Sequence, residues 1–338
     1  MSENNSPKPP RYPDHEKLLE WRDETGSVHP VRTPADWAKR WEHLRQGMME
    51  IMGPLPEDRT PLDVKTHSTD DAGSHWRYRI DYQPEPGDRV PAYLLVPKQI
   101  VGKLPAMMCL HQTVQIGKDE PAGLGGSANL HYAKELADRG YVCLVPDYPT
   151  LGQYTYDFDN DRYISGSMKG IFNHLRGVDL LCADERVDSN RIGSIGHSLG
   201  GHNTMFLATF DTRIKAMVSC CGWTPHCHYY NGDITGWTGP RYCPKMKDYL
   251  GRCADVPFDY YEIVAGFAPR AFLTVSPIHD SNFDVEGCRK VMSAAKAIYA
   301  MHNLPENLVG RFPDAKHDFP PDDRKAAYDF LDRHLKRT

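Results

Sequence analysis

From residue 104 onward, short apolar runs alternate with stretches of helical period, and this rhythm restricts the fold more than any other feature of the chain. The runs are Pro105–Leu110, Tyr141–Pro146, Arg191–Ile195, Ile214–Ser219, Ala271–Ser276 and Asn307–Phe312. The helical stretches lie at about 127–139, 165–184, 199–209, 286–302 and 321–336. Within the runs apolar residues follow one another instead of alternating with polar ones. A strand with one wet face would alternate; a strand buried on both faces does not. The repetition predicts a mostly parallel, doubly wound α/β sheet covered by helices on both sides.

The segments before residue 104 read differently. Residues 1–32 are polar and rich in proline and are expected to form an extended arm. A helix should begin at Thr33-Pro34-Ala35-Asp36, with Thr33 as cap, Pro34 at the first helical position and Asp36 returning a bond to the cap. Trp37, Trp41, Leu44, Met48, Ile51 and Met52 recur at spacings of three and four, up to the stop signal Gly53-Pro54. His75–Gln83 and Arg89–Val96 flank the turn signal Pro84-Glu85-Pro86-Gly87-Asp88 and read as an antiparallel hairpin. The expected organisation is therefore an arm and helix over 1–74, packed on a catalytic α/β domain over 75–338. Within that domain, residues about 222–262 break the rhythm. They are rich in Gly, Pro and aromatics, Trp223 and Trp237 among them, and are expected to form a small cap-like insert.

Chemistry concentrates around Gly196-His197-Ser198-Leu199-Gly200-Gly201. A bare G-x-S-x-G has little weight in a chain with 27 glycines. Here an apolar run precedes it and Asn203–Ala208 continues it as a helix, the strand–turn–helix setting of a nucleophile elbow. Asp280 follows the run Ala271–Ser276, where the carboxyl end of a late strand would place it near a ligand. Asp284 competes with it but stands closer to the next helix. His317 lies between the last run and the last helix, so the chain order is Ser, Asp, His. In these roles Ser198 attacks, His317 takes its proton, and Asp280 fixes the imidazole tautomer. An oxyanion needs two donors. Leu199 N–H follows the nucleophile directly, and Thr113, then Gln112, is the expected source of the second.

Weaker candidates for substrate contact are His111, Asp147, Tyr148, His197, Trp223 and Trp237. For His197 and His202, packing around the elbow is the preferred reading. The run His226-Cys227-His228 is too tight for the usual zinc spacings, so no metal is expected. There is no Walker loop or dinucleotide fingerprint, and no cofactor is expected. The formal charge of -5 without a basic cluster argues against nucleic acid. No apolar run approaches the ~18 residues of a membrane span, and no apolar leader follows the N-terminus. The nine cysteines are odd in number and scattered, which suits reduced thiols and a cytoplasmic location.

With these residues in place the chain resembles the α/β-hydrolase fold, in particular its acetyl xylan esterase-like and dienelactone hydrolase-related serine esterases. The resemblance spans about residues 34–338 and rests on Met52-Gly53-Pro54-Leu55-Pro56, the G-H-S-L-G-G elbow, the segment from Pro269 to Asp284 and the His317 loop. It implies hydrolysis of a carboxylic ester through an acyl-enzyme, on a small-molecule or carbohydrate ester, without a cofactor. Two departures stand out. His111-Gln112-Thr113 replaces the His-Gly of many relatives, and the nucleophile is Ser where dienelactone hydrolases proper use Cys. Prolyl-oligopeptidase-like peptidases share the catalytic domain but carry a large extra domain for which this chain has no room. A peptidase or amidase is the second enzymatic reading, and a binding protein that kept the fold is the third. A lipase is disfavoured, because the insert mixes Tyr, Trp, His and Asp.

Overall fold

The computed structural model describes residues 9–336. In the arm, β1 (Glu20–Arg22) and β2 (Val28–Pro30) form a small antiparallel pair of their own. Helix α1 (Pro34–Met52) begins as expected, with a capping box between Thr33 and Asp36. It buries Trp37, Leu44, Met48, Ile51 and Met52. Then come β3 (Lys65–Asp71), β4 (His75–Tyr82), β5 (Val90–Pro97), β6 (Leu104–Leu110), α2 (Tyr132–Asp138), β7 (Val142–Pro146) and α3 (Gly166–Ala183). The chain continues through β8 (Val187–His197), α4 (Leu199–Phe210), β9 (Ile214–Cys220), α5 (Tyr260–Ala265), β10 (Ala271–Val275), α6 (Val285–Met301), β11 (Leu308–Arg311) and α7 (Pro321–Leu335).

The nine-stranded sheet has the order β11-β10-β9-β8-β6-β7-β5-β4-β3. From β11 to β7 all neighbours are parallel, and β5, β4 and β3 complete the sheet antiparallel. Both faces are covered, which is why the central strands lack alternation. On β6, Ala106, Met108 and Leu110 join the core shared with α1, α3, α4, α5 and α6. Met107 and Cys109 join the core beneath α2 and α7. The chain leaves β6 for β7 on one side and returns to β8 on the other, so the sheet reverses its winding around β6. Ligands of such sheets bind outside the carboxyl ends of the strands at that point.

Strand β3 escapes the sequence reading because its residues, KTHSTDD, are almost all exposed at the sheet edge and carry no apolar pattern. Helix α2 is shorter than expected, since residues 128–130 form a separate tight turn. Between β9 and α5, across the stretch read as an insert, the chain is built mostly of short 3₁₀ turns. Two buried groups tie α1 and the arm to this side: Arg40 of α1 and His15 of the arm both reach the Glu262 carboxylate of α5, at 2.7 and 2.8 Å.

The expectation of nine reduced thiols is corrected. Cys227 and Cys253 form a disulfide inside the insert, with Cα atoms 5.3 Å apart, and the other seven are free. Counting cysteines could not reveal this, because the pair is brought together by the fold of the insert and not by any spacing motif. Helices long and apolar enough to cross a membrane are absent among the described residues. Replacing both Cys227 and Cys253 by Ser should lower stability by about 3.5 kcal/mol, the loop-closure term for this separation. Urea unfolding of the double variant checks the value.

Candidate active site

Strand β8 ends at His197 and α4 begins at Leu199, so the chain turns within one residue. Ser198 makes the turn at φ 53° and ψ −117°, a conformation that side chains other than glycine avoid. Hydrogen bonds hold it there. Its N–H donates to the Cys220 carbonyl at 2.9 Å, and its own carbonyl accepts from Gly201 and His202 at 2.8 and 3.2 Å. The flanking glycines are required by contact. A Cβ on Gly196 would lie 2.2 Å from the Gly200 carbonyl oxygen, and one on Gly200 would lie 1.8 Å from that of Leu110.

Asp280 sits in the loop after β10, where its Oδ1 accepts the Asn282 and Phe283 amides at 2.8 and 3.3 Å. Its two oxygens lie 3.0 and 2.9 Å from His317 Nδ1. The carboxylate is 1% exposed and the imidazole 22%. This bond selects the tautomer with its proton on Nδ1 and leaves Nε2 free to accept another. Burial works against a charged His317, but hydrogen bonding to Asp280 and the adjacent Cys221 outweighs it and raises the imidazole above its ordinary pKa. Asp284, the competing carboxylate, caps α6 by accepting the Glu286 amide and pairs with His228 at 2.6 Å.

Ser198 and His317 open into one cleft of about 360 Å³, lined also by Gln112, Thr113, Leu199, His202, Tyr229, Gly236, Trp237, Tyr242, Asn282 and Phe283. Four of the other expected residues, Gln112, Thr113, Leu199 and Trp237, thus border the same cleft. As first residue of α4, Leu199 has an N–H with no helical carbonyl to serve. The Gln112 side chain donates to Glu120 at 2.9 Å, and the Thr113 hydroxyl meets the Tyr242 hydroxyl at 3.3 Å. His202 is held neutral by burial, which lowers it to about 3. Its ring packs on Phe206 and Trp237 and also borders the cleft. Asn282 and Phe283 are not singled out by sequence, although they follow the Asp280 turn directly. Their backbone bonds to Asp280 are what carry them to the cleft.

Five expected contacts are corrected: His111, Asp147, Tyr148, His197 and Trp223 do not line the cleft. Asp147 is fully buried against Lys118, with Nζ at 2.7 Å, and also accepts the Lys118 and Gln153 amides at 2.8 and 2.9 Å. His111 Nε2 accepts the Tyr148 amide at 2.9 Å, and burial keeps the ring neutral. The loop after β6 folds back over these groups, so its charges pair inward while Gln112 and Thr113 stay at the surface of the cleft. Trp223 is core: its Nε1 donates to Thr274 at 3.1 Å and its ring stacks on Tyr260. His197 is buried edge-on to His317, with ring centroids 4.7 Å apart. In the run His226-Cys227-His228, Cys227 is in the disulfide and His228 is paired with Asp284. Replacing Asp147 by Asn should destabilise the protein by about 3–5 kcal/mol, because it leaves the Lys118 ammonium buried and unpaired. Denaturant unfolding measures the loss.

Over 270 residues the chain is 26% identical to YtaP of Bacillus subtilis, a protein whose name assigns it provisionally to the hydrolases, covering 76% of this chain and 87% of that one. Its fold is similar to that of a glucuronoyl esterase from Solibacter usitatus, with TM-score 0.75 and 16% identity over 97% of this chain and 100% of the other. It is also similar to that of a Bacteroides fragilis protein described provisionally as an acetyl xylan esterase, with TM-score 0.65 and 19% identity over 90% of this chain and 87% of the other. Residues 127–338, which hold Ser198, Asp280 and His317, match the prolyl oligopeptidase family, and the chain belongs to that family of α/β-hydrolases.

Proposed function

We propose that this chain is a serine hydrolase of carboxylic esters, acting on a short-acyl ester of a neutral carbohydrate. The observation that carries the proposal is a strained Ser198 opening into the same cleft as a His317 already hydrogen-bonded to Asp280. In this reading Ser198 Oγ attacks the ester carbonyl while His317 Nε2 takes its proton. The tetrahedral oxyanion is met by the amides of Leu199 and Thr113. Thr113 is preferred to Gln112 as the source of the second amide, and both border the cleft. His317 then protonates the leaving alkoxide, and water cleaves the acyl-enzyme by the same steps in reverse order.

The choice of substrate rests on the lining. Tyr229, Trp237, Tyr242 and Phe283 give aromatic faces on which a sugar ring can stack. Thr113, Asn282 and the neutral His202 give polar groups, and among the described residues no Asp, Glu, Lys or Arg lines the cleft. A neutral, hydroxyl-rich substrate suits such walls better than an ion. The esterases among the structures of similar fold support a carbohydrate ester, and the acetyl xylan esterase-like one supports the short acyl group. A second reading, a peptidase or amidase, is favoured by the family's name. The uncharged lining speaks against it, as a peptide terminus would find no counter-ion. Backbone strain at Ser198 argues against a binding protein without catalysis, since such strain persists where function requires it. The Cys227–Cys253 pair argues for oxidising surroundings and against the expected cytoplasmic location, because cytosolic thiols are kept reduced.

A panel of p-nitrophenyl esters from acetate to long acyl chains tests the reaction. Turnover should fall with acyl length and vanish in Ser198→Ala; cleavage of amides in preference to esters would move the assignment to the second reading. The base acts when deprotonated and its pKa is raised, so kcat/KM should climb with pH through a midpoint above the ordinary histidine value of about 6.5. Asp280→Asn should lower kcat by about 10⁴-fold and move that midpoint downward, which a pH–rate profile of both proteins reads directly.

A further inference from the structure

Behind the cleft lies a cluster that the proposed hydrolysis does not use. Cys220 ends β9 and Cys221 follows it at φ 48°. Their Sγ atoms are 3.7 Å apart, and both thiols point toward the Asp318 carbonyl, at 3.6 and 3.4 Å. His197 stands beside them, 1% exposed, and neither of its ring nitrogens has a hydrogen-bond partner. A buried imidazole with both nitrogens unsatisfied is costly, and it is here within reach of two thiols. One His197 nitrogen and the two sulfurs all lie within 4.8 Å of one another. Ligand atoms of Cys221, Asp280 and His317 meet the same limit, so Cys221 belongs to both groups.

The donor set is soft: two thiols and an imidazole, which together select zinc-like cations over calcium or magnesium. The spacing fits as well. Two thiolates bound tetrahedrally to zinc at about 2.3 Å stand about 3.8 Å apart.

We propose that His197, Cys220 and Cys221 form a site for a thiophilic divalent cation of the zinc type, with the fourth ligand drawn from the Asp280–His317 pair, so that binding inhibits hydrolysis. Two S–H bonds are replaced by two sulfur–metal bonds and two protons leave to solvent; nothing is oxidised. Binding itself is independent of the ester reading, while the inhibition rests on His317 being the base. The two are therefore read separately.

The test is titration of the whole chain with Co²⁺, a coloured substitute for zinc, with ester hydrolysis followed in parallel. One equivalent should bring up a thiolate-to-cobalt charge-transfer band in the near ultraviolet and abolish turnover, and a chelator should reverse both. Cys220→Ser should lose the band and, measured against its own metal-free rate, tolerate at least tenfold more metal. Should that variant fail to fold, X-ray absorption of the zinc-loaded wild type decides. A shell of two sulfurs at about 2.3 Å with nitrogen at about 2.0 Å supports the site. A shell of oxygen and nitrogen alone overturns it. So does the absence of a band in folded wild type, or inhibition unchanged in Cys220→Ser. A band without inhibition would retain the cation site and overturn its coupling to His317.

Discussion

The close approach of β6, β8 and the first turn of α4 is the constraint on which the site depends. The carbonyl of Leu110 lies where a side chain at position 200 would be, and the carbonyl of Gly200 lies where one at 196 would be. Only bare backbone lets the helix start so near the strand ends. That nearness forces the turn into one residue and puts Ser198 at positive φ. Ser198 then borders the cleft, and the first N–H of α4, that of Leu199, is left without a helical carbonyl. The place of Ser198 at the cleft and at the start of α4 thus follows from one steric fact.

A second layer keeps the loop opposite the elbow in place. Lys118 and Asp147 pair in full burial under the segment that carries Gln112 and Thr113, and Glu120 holds both the Gln112 side chain and the Ser127 amide. Similar buried charges fix other parts of the frame. Lys169 of α3 reaches Glu85 and Asp88 in the turn between β4 and β5, and Arg40 with His15 secures Glu262. Removing one partner from such a pair leaves an uncompensated charge in the interior. Each pair therefore acts less as an attraction than as a penalty against displacement.

Much of this was legible in the sequence because the signals were local. Strands buried on both faces write themselves as continuous apolar runs, and α1 announces its start through Thr33, Pro34 and Asp36. The order of Ser198, Asp280 and His317 follows from where each stands relative to a run. What escaped was set by distance along the chain. Asp147 and His111 look like site residues at strand ends. Asp147 turns inward to Lys118 and His111 to the Tyr148 amide, pairings that nothing in the sequence announces. Strand β3 has no apolar signature because it is an exposed edge. Cys227 and Cys253 meet through the path of an irregular insert, which no periodicity encodes.

That insert has a consequence of its own. Tyr229, Trp237 and Tyr242 all come from the segment between β9 and α5, which is closed on itself by its disulfide and contributes none of Ser198, Asp280 or His317. The wall that would select a substrate and the groups that would transform it are therefore separable pieces. Exchanging the residues of this one segment would retune what the cleft admits while the sheet, the elbow and the base stayed as they are. Diversification of such a protein would be concentrated in a single short, self-stapled stretch.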